Sequence, residues 1–140
     1  MHELVLDTNV LVTALRSRRG ASYQLIRLIG ADVFRINLSV ALALEYEEVL
    51  KRVNLVPGMT EADIDEFLDY IFQSSYLVPS VRAMRPSLAD PDDELVLDLA
   101  AQRGATILTY NKRDFAGAAK RGVHILTPAE FLGLLRQATE

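Results

Sequence analysis

Asp7, Glu45, Asp92 and Asp93 are the side chains of this sequence best placed to do chemistry. Asp7 ends the apolar run Glu3-Leu4-Val5-Leu6, Glu45 interrupts an apolar helical stretch, and Asp92 and Asp93 open another helix. Carboxylates brought together in a fold repel one another unless a cation lies between them. A divalent-metal site is therefore the first chemistry to expect.

Helical phase separates inward acids from outward ones. At roughly 100° per residue, Leu42, Tyr46, Val49 and Val53 form one apolar stripe with Glu45 on its edge, while Glu47 and Glu48 turn away. In the later helix, Val96, Leu99 and Ala100 share a side with Asp92 and Asp93, and Glu94 and Asp98 are expected to face solvent. Each acid also has an ordinary use. Asp92 and Asp93 suit a helix N-terminus, Asp7 can cap the turn Thr8-Asn9-Val10, and Glu45 can pair with Arg52. Their combination says more, because ligands of open α/β sheets bind beyond the carboxyl ends of the strands. Asp7 must lie there, and one inward acid from each of two helices can reach the same crevice.

The elements that position these acids alternate between short apolar strands and amphipathic helices. Strands are expected at 3–6, 33–38, 76–78, 106–108 and 123–126, and helices near 21–30, 40–53, 61–73, 92–103 and 128–137. That alternation predicts an α/β domain with three α/β/α layers around a mostly parallel sheet of about five strands. Thr127-Pro128-Ala129-Glu130 combines an N-cap hydroxyl, proline at the first helical position and a capping-box glutamate; Thr60-Glu61-Ala62-Asp63 is a weaker version. Gly30 and Gly104 fall where glycine stops helices. The stretch 80–91, with Pro86 and Pro91, is expected to form a long loop, a kind that often carries function.

Length and composition narrow the class. The 140 residues suit one domain spanning 1–140, and the absence of cysteine excludes disulfide and thiolate chemistry. With neither a signal-peptide pattern nor a spanning segment, a soluble cytoplasmic protein is expected. The net charge of −4 argues against a broad basic nucleic-acid surface. A local basic rim can still form from Arg16, Arg18, Arg19, Lys112, Arg113, Lys120 and Arg121, or these can be ordinary solvated charges. His2 and His124 fit surface or structural positions better than a general-base role. No G-x-x-x-x-G-K-S/T or G-x-G-x-x-G pattern is present. Aspartyl-nucleophile phosphatases also place Asp after the first strand, but commonly as D-x-D, and position 9 here is Asn9. A donor set of oxygen without histidine or cysteine favours Mg²⁺ over zinc, and phosphodiester hydrolysis is the reaction that fits.

Four segments in order carry a family resemblance. Val5-Leu6-Asp7-Thr8-Asn9-Val10 resembles the first motif of PIN-domain ribonucleases, and Ser39 with Glu45 resembles the second. Asp93, followed by Ala100, Gly104 and Thr109, resembles the third, and Leu108-Thr109-Tyr110-Asn111-Lys112-Arg113-Asp114-Phe115 the fourth. The chain is similar over residues 4 to about 130 to the VapC-like toxins of toxin–antitoxin pairs. The resemblance implies that Asp7, Glu45 and Asp93 bind Mg²⁺ or Mn²⁺, directly or through water, with Thr8, Asn9, Ser39 and Thr109 orienting them. Many members carry aspartate where this chain has Asn111; Asp114 can substitute, and Asp90 and Asp92 are alternatives at the third motif. The resemblance further implies an endoribonuclease leaving 5′-phosphate and 3′-hydroxyl ends, a homodimer and a cognate antitoxin. Leu, Ile and Phe of 21–30 and 61–73 can form partner surfaces or simply core. Tyr110 can stack an RNA base or be an ordinary half-buried tyrosine. The alternative function is a catalytically weak or inactive PIN-like module that binds protein or RNA, which Asn111 keeps open.

Overall fold

The computed structural model describes residues 1–52, 55–83 and 88–138; Val53 of the expected stripe and Pro86 of the expected loop lie outside them. Strands His2–Leu6 (β1), Phe34–Leu38 (β2), Tyr76–Leu77 (β3), Thr106–Leu108 (β4) and Ile125–Leu126 (β5) form one sheet in the order β3-β2-β1-β4-β5. All four pairings are parallel, with Leu4 opposite both Ile36 and Thr106. Six α-helices accompany them among the described residues: Thr8–Arg16 (α1), Ala21–Arg27 (α2), Val40–Leu50 (α3), Glu61–Gln73 (α4), Pro91–Arg103 (α5) and Pro128–Ala138 (α6). Two 3-10 helices span Lys112–Phe115 and Ala118–Arg121.

β1 is central, and Leu4, Val5 and Leu6 have no exposed surface. Consecutive burial, in place of alternation, means that both faces of the sheet are covered. Phe131 of α6 meets the rings of His2 and Phe34 edge-on, at 5.3 and 5.8 Å, on one face. On the other face Glu3 takes a bidentate pair from Arg35, and Arg103 of α5 donates to buried Asn37 at 2.9 Å. Helices thus lie on both sides, giving the three-layer α/β/α arrangement. The strand order places β2 and β3 on one side of β1, and β4 and β5 on the other. Its switch point lies between the ends of β1 and β4, where open α/β sheets form their crevice.

Several local expectations change. α1 was not anticipated: Thr8, Val10, Val12 and Thr13 are β-branched and mask a helix that burial of Val10, Leu11 and Ala14 stabilises. α2 ends at Arg27, and Gly30 lies in the following turn at φ +90°. Gly104 takes the left-handed position that stops α5. Both capping boxes form, Thr60 with Asp63 and Thr127 with Glu130.

α5 departs most from its expected phase. Asp98 is not on a solvent face; it is 8% exposed and pairs with Arg121 at 2.9 Å. The second 3-10 helix carries Arg121 over this side of α5, so the helix is enclosed beyond the stripe that meets the sheet. Glu94 is half-buried and accepts from the backbone N–H of Leu88. Asp92, expected to face inward, is exposed. Because removing one partner strands a buried charge, Asp98→Ala should lower stability by about 3 kcal/mol, read as a lower urea midpoint at unchanged m-value.

Candidate active site

Asp7 stands where β1 becomes α1. Its backbone N–H makes the last pairing to β4, donating to Leu108 at 3.0 Å, and its side chain caps α1 by accepting from Thr8 N–H at 2.9 Å. The other carboxylate oxygen accepts from the Thr109 hydroxyl at 2.7 Å. Thr109 follows β4 and is fully buried; its Oγ1 also accepts from Asn9 Nδ2 at 3.4 Å and from Asn111 N–H at 3.0 Å. Asn9 Oδ1 in turn accepts from Tyr110 N–H at 3.4 Å. One buried hydroxyl therefore stitches the ends of two adjacent parallel strands and sets the orientation of Asp7. Below it, fully buried Tyr46 of α3 donates to the Leu6 carbonyl at 2.5 Å.

The remaining acids come from other elements. Asp93 sits half-buried in the first turn of α5, which Asp90 caps by accepting from Asp92 N–H at 2.9 Å. Burial, then the charges of Asp7, Asp90, Asp114 and Asp92, push the Asp93 carboxyl up to about 7. Asp7 is also raised, by burial first and then by Asp114 and Asp90, against the lowering effect of its bonds from Thr109 and Thr8. Asp114 is exposed on the first 3-10 helix, anchored by buried Phe115. Glu45 is half-buried and raised by burial, then by Asp92, Glu48 and Asp90.

The acids thus form a centre of Asp7, Asp93, Asp90 and Asp114, with Glu45 on the flank nearer Asp90 and Asp92. Asp90 is the member that sequence motifs underplayed. Its signal was Asp90-Pro91, an N-cap followed by proline at the first helical position. Ser39 contacts none of these acids; its hydroxyl caps α3 by accepting from Leu42 N–H at 3.1 Å, so it bears on Glu45 through the helix. Thr8 is buried beside Asp7, and Asn111 contributes its backbone N–H while its side chain does not cap the 3-10 helix.

Cations do not neutralise this centre among the described residues. Arg52 forms its ion pair with Glu48 and reaches Glu45 only through its charge, which offsets part of the rise there, while Lys112 pairs with Glu130 and Arg121 with Asp98. Arg16, Arg18, Arg19, Arg113 and Lys120 are exposed. His2 packs on Phe131, and His124 is exposed just ahead of β5.

No three His, Asp or Glu side chains among the described residues close into a ready metal cage. The donor chemistry nonetheless fits a hard cation that keeps several waters and takes one or two carboxylates together with substrate oxygens. Burial and mutual repulsion raise the proton affinity of Asp7 and Asp93, and a divalent ion would relieve the same strain.

Comparison with known proteins bears on the family and the fold. A family model described as the PIN domain matches residues 3–113. Similar solved structures include DNA-bound VapBC from Salmonella typhimurium, with a TM-score of 0.66, 15% identity, and coverage of 91% of this chain and 99% of that one. VapBC2 from Rickettsia felis, bound to a promoter DNA fragment, has a TM-score of 0.62, 17% identity, and coverage of 89% and 98%. VapBC-1 from nontypeable Haemophilus influenzae has a TM-score of 0.62, 12% identity, and coverage of 91% and 98%. At these identities the likeness is one of fold. No curated protein sequence matches the chain. The matched span takes in Asp7, Glu45, Asp93 and Asn111 and runs through the switch point where the acids gather, so the chain belongs to the PIN-domain family.

Proposed function

We propose that this chain is a metal-dependent endoribonuclease, the toxin of a toxin–antitoxin pair, acting as a single cytoplasmic domain over residues 1–140. The observation that carries the proposal is the placement of Asp7 at the end of β1, bonded to Thr109 beyond β4, with the first turn of α5 bringing the charges of Asp93 and Asp90 to bear on the same place and no Lys or Arg among the described residues ion-paired to these acids. PIN-family proteins are nucleases that generally use divalent ions, which supports phosphodiester hydrolysis here; RNA as substrate and Mg²⁺ or Mn²⁺ as the ion are our assignments. The VapBC names of the similar structures support a cognate antitoxin, and we assign a homodimer by the same likeness.

Asp7 and Asp93 would hold the ion, with Glu45 and Asp114 acting through its waters and Asn111 and Asp92 at the edge. A bound Mg²⁺ or Mn²⁺ supplies Lewis-acid polarisation of the phosphate and activation of water. The chain's own part is placement. Thr109 and Thr8 hold the Asp7 carboxylate in one orientation, with both oxygens engaged, while Asn9 and Asn111 fix Thr109. Thr109→Val keeps the volume and removes the bond to Asp7. Cleavage should fall about 10- to 100-fold, as when other groups supporting metal ligands are lost, with the shortfall partly restored by raising Mn²⁺.

Product chemistry tests the proposal. Attack of water on phosphorus with departure of the 3′-oxygen leaves 5′-phosphate and 3′-hydroxyl ends and tolerates a 2′-deoxy substitution at the scissile position. Cyclic 2′,3′-phosphate ends, or a requirement for the 2′-hydroxyl at the scissile position, would show that the 2′-oxygen and not water is the nucleophile and contradict it.

A further inference from the structure

Tyr110 is oriented the wrong way round for a surface tyrosine. It follows Thr109 at the end of β4 and is 41% exposed. At such exposure a phenol ordinarily turns its hydroxyl to water and its ring to the protein. Here the hydroxyl points inward, 2.5 Å from the Oγ of Ser22, a residue of α2 with no exposed surface. The exposed surface of the residue is therefore shared by its ring and backbone and not centred on a solvated hydroxyl. Among the described residues no aromatic ring or guanidinium packs over the Tyr110 ring.

The ring is also tied to the acid centre. Tyr110 N–H donates to Asn9 Oδ1, Asn9 Nδ2 donates to Thr109 Oγ1, and Thr109 donates to Asp7 Oδ2. Held at its backbone by this chain and at its tip by Ser22, the ring is an aromatic surface fixed in place beside the carboxylates, with little rotamer freedom left to lose on contact. Such a surface suits the π-face of a nucleobase, and stacking is open only to a base that is unpaired.

We propose that Tyr110 is the stacking platform for an unpaired base adjacent to the phosphodiester held at the acid centre. The proposal rests on the nuclease assignment above. A purely structural tyrosine, tying α2 to the end of β4 through Ser22, makes a different prediction, because it needs the hydroxyl and not the ring.

The test is steady-state cleavage, in Mg²⁺, of a short single-stranded oligoribonucleotide and of the same strand annealed to its complement. Tyr110→Leu should raise KM for the single strand roughly tenfold, the effect of losing one base stack, with the loss falling on KM more than on kcat. Tyr110→Phe and Tyr110→Trp, which keep a ring but lose its tie to Ser22, should raise KM clearly less than Tyr110→Leu does, and the duplex should be a poor substrate. Equal damage from Phe and Leu, an unchanged KM in Tyr110→Leu, or equal cleavage of duplex and single strand would overturn the proposal. If Tyr110→Leu does not melt cooperatively, the emission of Tyr110→Trp decides, since an indole unaffected by single-stranded RNA contradicts stacking. The chain has no tryptophan, so the indole introduced by Tyr110→Trp also reports binding by itself. If wild type cleaves nothing, the nuclease assignment fails separately. Quenching of that indole by single-stranded RNA would still support the platform, and unchanged emission would overturn it.

Discussion

Asp93→Asn should abolish cleavage and, at the same time, raise the melting temperature of the metal-free protein above neutral pH. The two effects share a cause. Asp93 is half-buried among Asp7, Asp90, Asp114 and Asp92, and its carboxyl is pushed from 3.8 up to about 7. Below about pH 4 the group is protonated in folded and unfolded chains alike and contributes nothing. Between about 4 and 7 the unfolded chain releases the proton while the folded chain retains it, so stability falls as pH rises; above that window the cost is fully present. Asp7 and Glu45 are raised as well and act in the same sense. Metal-free wild type should therefore melt progressively lower from about pH 4 to pH 7, whereas Asp93→Asn should show a shallower slope and gain roughly 3 °C for each kcal/mol of relieved repulsion. Saturating Mg²⁺ should raise the wild-type melting temperature most above pH 7 and leave the variant little changed. Calorimetric scans across that range, with EDTA and with Mg²⁺, measure both effects.

Asp7→Asn should cut cleavage by on the order of 10³-fold, the scale of several kcal/mol of lost charge stabilisation. The variant is informative because asparagine is as good an N-cap as aspartate, so the bond from Thr8 N–H and the start of α1 can survive. What is lost is one negative charge at the point where β1, α1 and β4 meet, together with the bond from Thr109, because an amide NH2 cannot accept the hydroxyl proton. Asp7→Ala would instead remove the cap, at a cost of about 1 kcal/mol, and would mix instability with lost chemistry. Comparing kcat/KM for the two variants at matched temperature, beside their urea midpoints, separates charge from capping.

Much of the scaffold was legible from periodicity. The run Leu4-Val5-Leu6 had to be a fully buried strand, and the acid at its end had to emerge at the carboxyl edge of a parallel sheet. The capping boxes at Thr60 and Thr127 announced their helices because they are local chemistry, complete within four residues. α1 was hidden for the opposite reason, since its β-branched residues favour strand locally and only burial against the core makes it helical. Helical phase gave the right side for Glu45, half-buried at the edge of its stripe, but misplaced Asp92 and Asp98. Phase assigns a residue to one of two sides, and α5 is enclosed by the sheet and again by the 3-10 helix that brings Arg121 to Asp98. Asp90 and Asp114 gained their places from a loop and a 3-10 turn, which have no period to read. Tyr110 was visible as an aromatic beside the fourth motif, but the inward turn of its hydroxyl depends on Ser22, 88 residues away in sequence.

Cleavage of a mixed, 5′-labelled RNA pool by purified wild type and Asp7→Asn, each in Mg²⁺, Mn²⁺ or EDTA, tests the metal-dependent ribonuclease most directly. Discrete fragments from wild type in Mg²⁺ or Mn²⁺, absent in EDTA and formed on the order of 10³-fold more slowly by Asp7→Asn, are the predicted result. Fragments that persist in EDTA, fragments formed by the variant at the wild-type rate, or an intact pool with wild type in both ions, would contradict it.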